Sequence, residues 1–384
     1  MKHLPRIIVQ SITEPRRRTI LLVYVGSAIT GFIVGGAILL LDGHNPIEVY
    51  KKMLDAAFGS SRAMSDTLAQ ATPLIFTGLA FAIAQKMQLY NIGGEGQLLI
   101  GATTASGIAI VLGGGGPWVM IPLVFLAGAL GGAALAGIAG LVKAKFGASE
   151  IVTTLMLNFV SLKFVNYLIF PSNSMWKEKQ LTNFPTGKQI PDGAQLPKIS
   201  GQLTLGFFIA VSLAILLALV VRHTNWGFRL RILGDSLSAA HYAGIGVFGM
   251  TISVLSLSGA LAGLAGAALV VGPIGALEPR SLSIGLGFVG ILVAALARSN
   301  LVLVVPVAIA IAAIQASRYT LQALEVPSSM IAMLQGMILI SIGMAQFFLM
   351  KRISLKRKHD EKVIGETSDQ VVSGGVLMPN KTPT

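Results

Sequence analysis

The chain has no cysteine among its 384 residues. Disulfide frameworks, thiolate metal sites and cysteine nucleophiles are excluded together. Charge is also scarce. Asp, Glu, Lys and Arg make up 12% of the sequence, about half the share of an ordinary soluble domain. Hydrophobic residues supply 53%, and the mean hydropathy is +0.75. That is too little charge to cover a soluble domain of this length, so lipid is the expected solvent for most of the chain. The five histidines (His3, His44, His223, His241 and His359) are scattered, with no pair at the i, i+4 spacing that puts two ligands on one helix face, and no metal site is expected. A phosphate-binding GxxxxGK(S/T) loop is missing too. The glycine run GGGGPW at 113–118 lacks the Lys and the hydroxyl that such a loop needs. Energy for any vectorial work must come from an ion gradient or from another polypeptide.

The chain does have long apolar runs. Crossing ~30 Å of hydrocarbon at ~1.5 Å per residue takes roughly 20 residues. Ten runs meet or approach that length, near 19–41, 68–84, 91–112, 117–142, 150–170, 203–221, 248–271, 284–297, 301–316 and 329–349. An all-α polytopic membrane protein follows, with a basic N-terminal segment at 1–18, a spanning region at 19–350 and a tail at 351–384. The first run is too long for a signal-peptide core and leads into LDGHNP without a small-residue cleavage site, so it is read as a retained helix. With the N-terminus placed in the cytoplasm, 19 Lys and Arg fall on the inner side and 9 on the outer. That bias predicts both termini inside and accounts for the net charge of +13 without nucleic acid.

Two outer segments are long. Residues 42–67 contain NPIEVYKKMLDAAFGS, with apolar positions at helical spacing, and predict an amphipathic helix along the outer surface. Residues 171–202 are rich in Pro, Asn, Lys and Gly and read as an exposed loop. The tail is polar and basic, which predicts disorder apart from attraction to anionic lipid.

Glycine interrupts the helical pattern at NIGGEGQLLIGA (91–102) and at SIGLGFVGILVAALA (283–297), in segments that run in opposite directions on this topology. Paired interruptions of this kind suggest an inverted-repeat transporter. The alternative is close helix packing, as GALAGLAGA at 259–267 suggests. Glu95 lies inside the first interruption. A carboxylate at membrane depth serves a pathway or the helix bundle, unless it merely caps the third span. In the fifth span Glu150, Thr154, Asn158 and Ser161 share one face, which should turn towards the bundle either to line a path or to bind neighbouring helices. Lys163 lies on the other side and is expected to snorkel.

Between the sixth and seventh runs, 222–247 reads RHTNWGFRLRILGDSLSAAHYAGIGV. Asp235 or Ser236 can cap a short helix over SLSAAHY, and Gly244 suits its end. Ala239 and Ala240 would let another protein approach closely, with Leu237 and Tyr242 as anchors. Alone, the segment is equally an ordinary cytoplasmic turn of helix.

Here the sequence becomes familiar. GDSLSAAHYAGI resembles the cytoplasmic coupling loop of permeases in the ribose and branched-chain amino acid family of ABC importers. NIGGEGQLLIGA, EIVTTLMLNFV, SGALAGLAG and GLGFVGILVAAL resemble signatures of its nucleoside and simple-sugar branch, and NPIEVYKKMLDAAFGS resembles the longer of that branch's two paired permeases. The similarity covers roughly residues 20–349. It departs from the family pattern at Ser236-Leu237-Ser238, where Asn-Pro is frequent, and at Arg298-Ser299-Asn300, where a Gly-rich turn is frequent.

The resemblance implies a type II-like inverted repeat of about ten spans and a transport subunit in a bacterial plasma membrane. Its implied partners are ATP-binding subunits, a second, shorter permease, a surface substrate-binding lipoprotein and the membrane lipid. This chain itself would hold no cofactor, and ATP would be used by the ATPase. Candidate pathway residues are Asn91, Glu95, Gln97, Glu150, Thr154, Asn158 and Phe288. Candidate coupling residues are Gly234, Asp235, Ala239, Ala240, Tyr242 and Gly244. The implied cargo is a nucleoside, with a ribose-like sugar as the alternative. A gradient-driven secondary transporter is the competing class, and a membrane-embedded enzyme lacks the convergent catalytic groups it would need.

Overall fold

Apolar runs bounded by Gly, Pro, Ser and Asn become helices because a backbone in lipid must satisfy its own polar groups. In the computed structural model the described residues are 6–11, 17–113, 115–171, 174, 176–178, 186–322 and 326–356. The long helices are α1 (Arg17–Leu41), α3 (Ser61–Gln85), α4 (Gly94–Leu112), α5 (Pro117–Phe146), α6 (Glu150–Ile169), α7 (Leu205–His223), α10 (Val247–Leu269), α13 (Val304–Gln322) and α14 (Ser328–Met350). Between them lie α2 (Pro46–Phe58), α8 (Asn225–Asp235), α9 (Leu237–Tyr242), α11 (Pro279–Leu282) and α12 (Leu286–Leu296). Among the described residues eight helical segments are long and apolar enough to cross a membrane. They coincide with eight of the ten predicted runs, and α1 and α14 occupy the other two.

The chain divides into two compact units. The larger runs from Gly36 to Gly336. Within it α3 and α10 are central, with 83% and 78% of their apolar stretches buried, against 22% for α6 and 28% for α7. The outward faces of α6 and α7, including Phe159, Val160, Leu216 and Leu219, are therefore the surfaces left for lipid or another subunit. The close packing expected of GALAGLAGA is present. Side chains at Gly259 and Gly263 of α10 would collide with the backbone of Gly132 and Gly128 of α5, so only glycine lets these helices touch.

The predicted amphipathic helix exists as α2, N-capped by Asn45, whose side chain accepts from Ile47 N at 3.1 Å. Its apolar face is occupied by protein. Val49 and Met53 join Leu39, Leu321, Val326 and Leu334 in one buried cluster, and Thr67 Oγ1 donates to Ala57 O at 2.9 Å, tying the end of α2 to α3.

The smaller unit comprises the chain up to Gly35 and from Met337 onward. Here Gly31 of α1 packs on Ile338 and Ser341 of α14. Strand β1 (Arg6–Ser11) pairs antiparallel with β4 (Lys351–Lys356), in the register Arg6 with Lys356 and Ser11 with Lys351. The first part of the predicted tail thus forms a strand. The rest of it, 357–384, lies outside the described residues, as do 179–185 of the predicted outer loop.

The described part of that loop is partly buried, contrary to its exposed reading, and the cause lies in α10. Pro273 supplies no N–H, and Gly272 leaves helical geometry, so the helix opens through a π turn at Val270–Ile274. The loop pairs with the freed backbone. Leu196 N donates to Val271 O at 2.7 Å, Ile190 N to Gly275 O at 2.8 Å, and Gly187 N to Leu277 O at 3.0 Å. Ile190, Ala194 and Leu196 are buried in consequence. Strands β2 (Lys198–Ser200) and β3 (Leu203–Thr204) then lead into α7.

Candidate functional site

The turn between α3 and α4 carries the first glycine-rich segment, and α4 begins only at Gly94. Asn91 holds this turn from inside. Its amide exchanges two 2.8 Å hydrogen bonds with the Gln97 amide, accepts from Gly93 N at 3.0 Å, and donates to Ser258 Oγ on α10 at 2.7 Å. Ser258 in turn donates to Ala80 O of α3 at 2.6 Å. From the other side Asn158 of α6 accepts from Gly96 N at 2.8 Å and donates to Ile92 O at 2.9 Å. The predicted stripe does face the bundle: Glu150, Thr154, Asn158 and Ser161 are all buried. Thr154 Oγ1 donates to its own helix at Glu150 O, 2.7 Å away. Glu150 pairs with Lys143 of α5 at 2.8 Å and accepts from Tyr90 N at 3.4 Å. These polar groups are mutually satisfied, as buried polar groups must be.

Glu95 reaches furthest. Oε1 accepts from Gly285 N at 2.8 Å and Oε2 from Gly287 N at 2.7 Å. Both donors belong to the start of α12, so the carboxylate caps another helix, at the end where the dipole favours negative charge. The two helix starts touch, and a side chain at Gly287 would overlap the backbone of Gly94 and Glu95. The glycine-rich segments, 192 residues apart in sequence, therefore meet as one junction of two helix N-termini. Phe288, one turn into α12, is 44% exposed and makes no part of this network.

Beside the junction is a cleft of about 610 Å³ that the sequence reading did not locate. The first half of α3 (Asp66, Gln70 and Pro73), the opened end of α10 (Leu269 and Pro273) and the break before α12 (Ile284 and Leu286) line it, together with Gln202 and Gln315. Gln315, a polar residue inside the ninth apolar run, was the available signal.

The far end of α3 meets the predicted coupling segment. Gln88 donates to Gly234 O, and Gly234 packs directly on the Lys86 carbonyl. Burial, together with the Arg231 guanidinium, holds the Lys86 ammonium below its usual pKa. Ser236, rather than Asp235, caps α9 by accepting from Ala239 N at 3.3 Å, while Asp235 ends α8. Gly244 adopts a left-handed φ of 67° and ends the helix as predicted. Leu237, Ala239 and Tyr242 are exposed, Tyr242 at 95%. Ala240 differs from expectation. It is fully buried against its own chain, because the α9 face one residue on from Ala239 turns inward.

A family model described as "Branched-chain amino acid transport system / permease component" matches residues 63–343. The nucleoside ABC transporter permease protein NupB of Lactococcus lactis is 34% identical over 275 residues, 69% of this chain and 75% of that protein. The guanosine ABC transporter permease protein NupP of Bacillus subtilis is 32% identical over 293 residues, 76% and 83% of the two chains. The glucose ABC transporter permease protein TsgB13 of Haloferax volcanii is 29% identical over 343 residues, 86% and 88%. No solved structure matches the chain.

Proposed function

This chain belongs to the family of branched-chain amino acid transport system permease components, and from that premise we propose that it is the spanning subunit of an ATP-driven importer carrying nucleosides into the cell. The observation that carries the cargo is the similarity to NupB and NupP along more than two thirds of the sequence. ATP hydrolysis belongs to partner subunits that dock on α9, whose exposed Leu237, Ala239 and Tyr242 offer a small-residue surface between two anchors. A second permease and a surface capture protein complete the assembly. This chain holds no cofactor of its own.

The orientation is part of the same reading. The positive-inside bias supports cytoplasmic termini, and the β1–β4 pair, which joins residues 6–11 to 351–356, agrees with the segments before α1 and after α14 lying on one side. The matched helix starts at α4 and α12 support an inverted repeat in which each half contributes one interrupted helix. The Asn91, Glu95, Gln97, Glu150, Thr154 and Asn158 network then shapes the pathway by holding that junction, and Phe288 offers an exposed ring on its α12 side.

The glucose permease relative, which matches more of the chain, favours sugar as the second cargo. Uptake of labelled uridine, guanosine, ribose and glucose by cells expressing the whole operon separates the two. Nucleoside uptake that survives an ionophore and stops when the ATPase is inactivated is the expected outcome. Sugar uptake without nucleoside uptake would replace the cargo, and collapse with the ionophore alone would replace the class.

A further inference from the structure

The cleft beside the helix junction has no role yet, and three observations say what it takes. The first is where it lies. It opens along the first half of α3, whereas the coupling segment meets Lys86 and Gln88 just past the other end of that helix, so the cleft lies at the end of the bundle away from α9. Its lining includes the opened end of α10 and the break before α12, where Ile284 and Leu286 each immediately precede one of the two amides that Glu95 holds. Discontinuous helices are where transporters form solute sites, since unwound backbone persists in a membrane only when buried in protein or lining a cavity.

The second is size. About 610 Å³ lies within the range of small-molecule sites, roughly 300–1,000 Å³.

The third is chemistry. The amides of Gln70, Gln202 and Gln315 each donate and accept, which suits the mixed edge of a nucleobase. Asp66 is part of the lining, and a carboxylate, which only accepts, calls for a donor from a ligand at whichever oxygen faces the cleft. A hydroxyl of a sugar ring supplies one. Pro73, Leu269 and Leu286 give the apolar surface that a base or ribose face needs. Among the described lining residues Arg62 is the one cation, against the carboxylates of Asp55 and Asp66, so a phosphate group is disfavoured by like charge.

We propose that this cleft is the entry subsite for the solute and that it takes an uncharged ribonucleoside, Asp66 accepting from ribose hydroxyls and the three glutamines reading the base. The assignment rests on the importer reading above and adds to it the residues that meet the cargo.

The natural absence of cysteine supplies the test. Gln70→Cys and Ala316→Cys place single thiols in the cleft, and Lys51→Cys places one on the exposed side of α2. In cells carrying the complete importer, labelling by an impermeant maleimide is followed with uridine, uridine 5′-monophosphate, ribose or leucine outside. Uridine at ten times its dissociation constant leaves about one site in eleven free, so labelling at 70 and 316 should slow about tenfold while labelling at 51 is unchanged. In the Ala316→Cys background, Asp66→Asn should raise the half-protecting uridine concentration about three- to tenfold, because the amide oxygen still accepts but the charge that strengthens the bond is gone.

Protection by the monophosphate, by leucine, or by ribose as well as by uridine would overturn the assigned ligand. Uridine uptake by the parent importer without protection at either thiol would overturn the cleft and leave the importer reading standing. Absence of uridine uptake by the parent importer would remove that reading, and this assignment with it.

Discussion

Glu95 is 5% exposed and shares its two oxygens between two backbone amides of a helix that begins 190 residues later. A hydrogen bond to a charged acceptor is worth about 1.5–3 kcal/mol, and an abandoned buried donor carries its own desolvation cost. Glu95→Ala leaves Gly285 N and Gly287 N without their partner. The expected loss is at least about 3 kcal/mol, seen as a lower melting temperature of the detergent-purified assembly and as strongly reduced uptake at equal abundance. Glu95→Gln keeps one acceptor oxygen and turns an NH₂ towards the second donor, so it should fall between the two. A Glu95→Ala variant with normal stability and uptake would show that the α12 start is held by other groups. Asn91, Asn158 and Glu150 act in the same way over shorter distances, each tying the turn before α4 to a neighbouring helix.

At the scale of elements, the contact among α4, α5 and α10 depends on hydrogen atoms where side chains would stand. Side chains at Gly101 and Gly128 would also run into Gly263, which makes Gly263 the crowded point of all three helices. Without a hydrophobic driving force between helices in lipid, such backbone approach is what makes them associate. Gly263→Val forces them apart, a change that costs about 1–3 kcal/mol when cores are overpacked. Gly249, near the start of the same α10, has open space where its Cβ would be. Gly249→Ala should therefore be neutral or slightly stabilising, by up to about 1 kcal/mol. Thermal unfolding of both variants measures the contrast, and equal effects would show that intrinsic helix propensity, not contact, governs α10.

For the whole molecule, the proposed orientation places α9 inside and the loop that covers the α10 break outside. Single cysteines at exposed Ala239 and Asp192 report this directly. An impermeant thiol reagent should label position 192 in intact cells and position 239 only after the membrane is opened. The reverse pattern would invert the topology and move the cleft to the cytoplasmic face.

Much of this was legible because it is local. A spanning run is a property of some twenty consecutive residues, so the eight span-length helical segments among the described residues, with α1 and α14 beside them, appeared in hydropathy alone. The polar stripe of α6 follows from helical periodicity, and Ser236 and Gly244 bound α9 because capping involves only neighbours in sequence. Periodicity identifies a buried face without naming what lies against it. It therefore left open whether Glu95 met a pathway, a bundle or its own helix, and it placed Ala240 on a docking surface when that residue packs inward.

The loop at 186–197 shows the same limit. Its Pro, Asn and Lys content predicts exposure, but Pro273 and Gly272 free carbonyls in a distant helix, and the loop's amides are what answer them. The sequence by itself determined where the long apolar helices lie and their boundaries to within a turn at most ends. Tertiary structure alone decided that the two glycine-rich breaks meet, that one carboxylate joins them and that a cleft opens beside them. Those features consist of unsatisfied groups finding partners some 80 to 190 residues away, and no local pattern encodes which partner will be there.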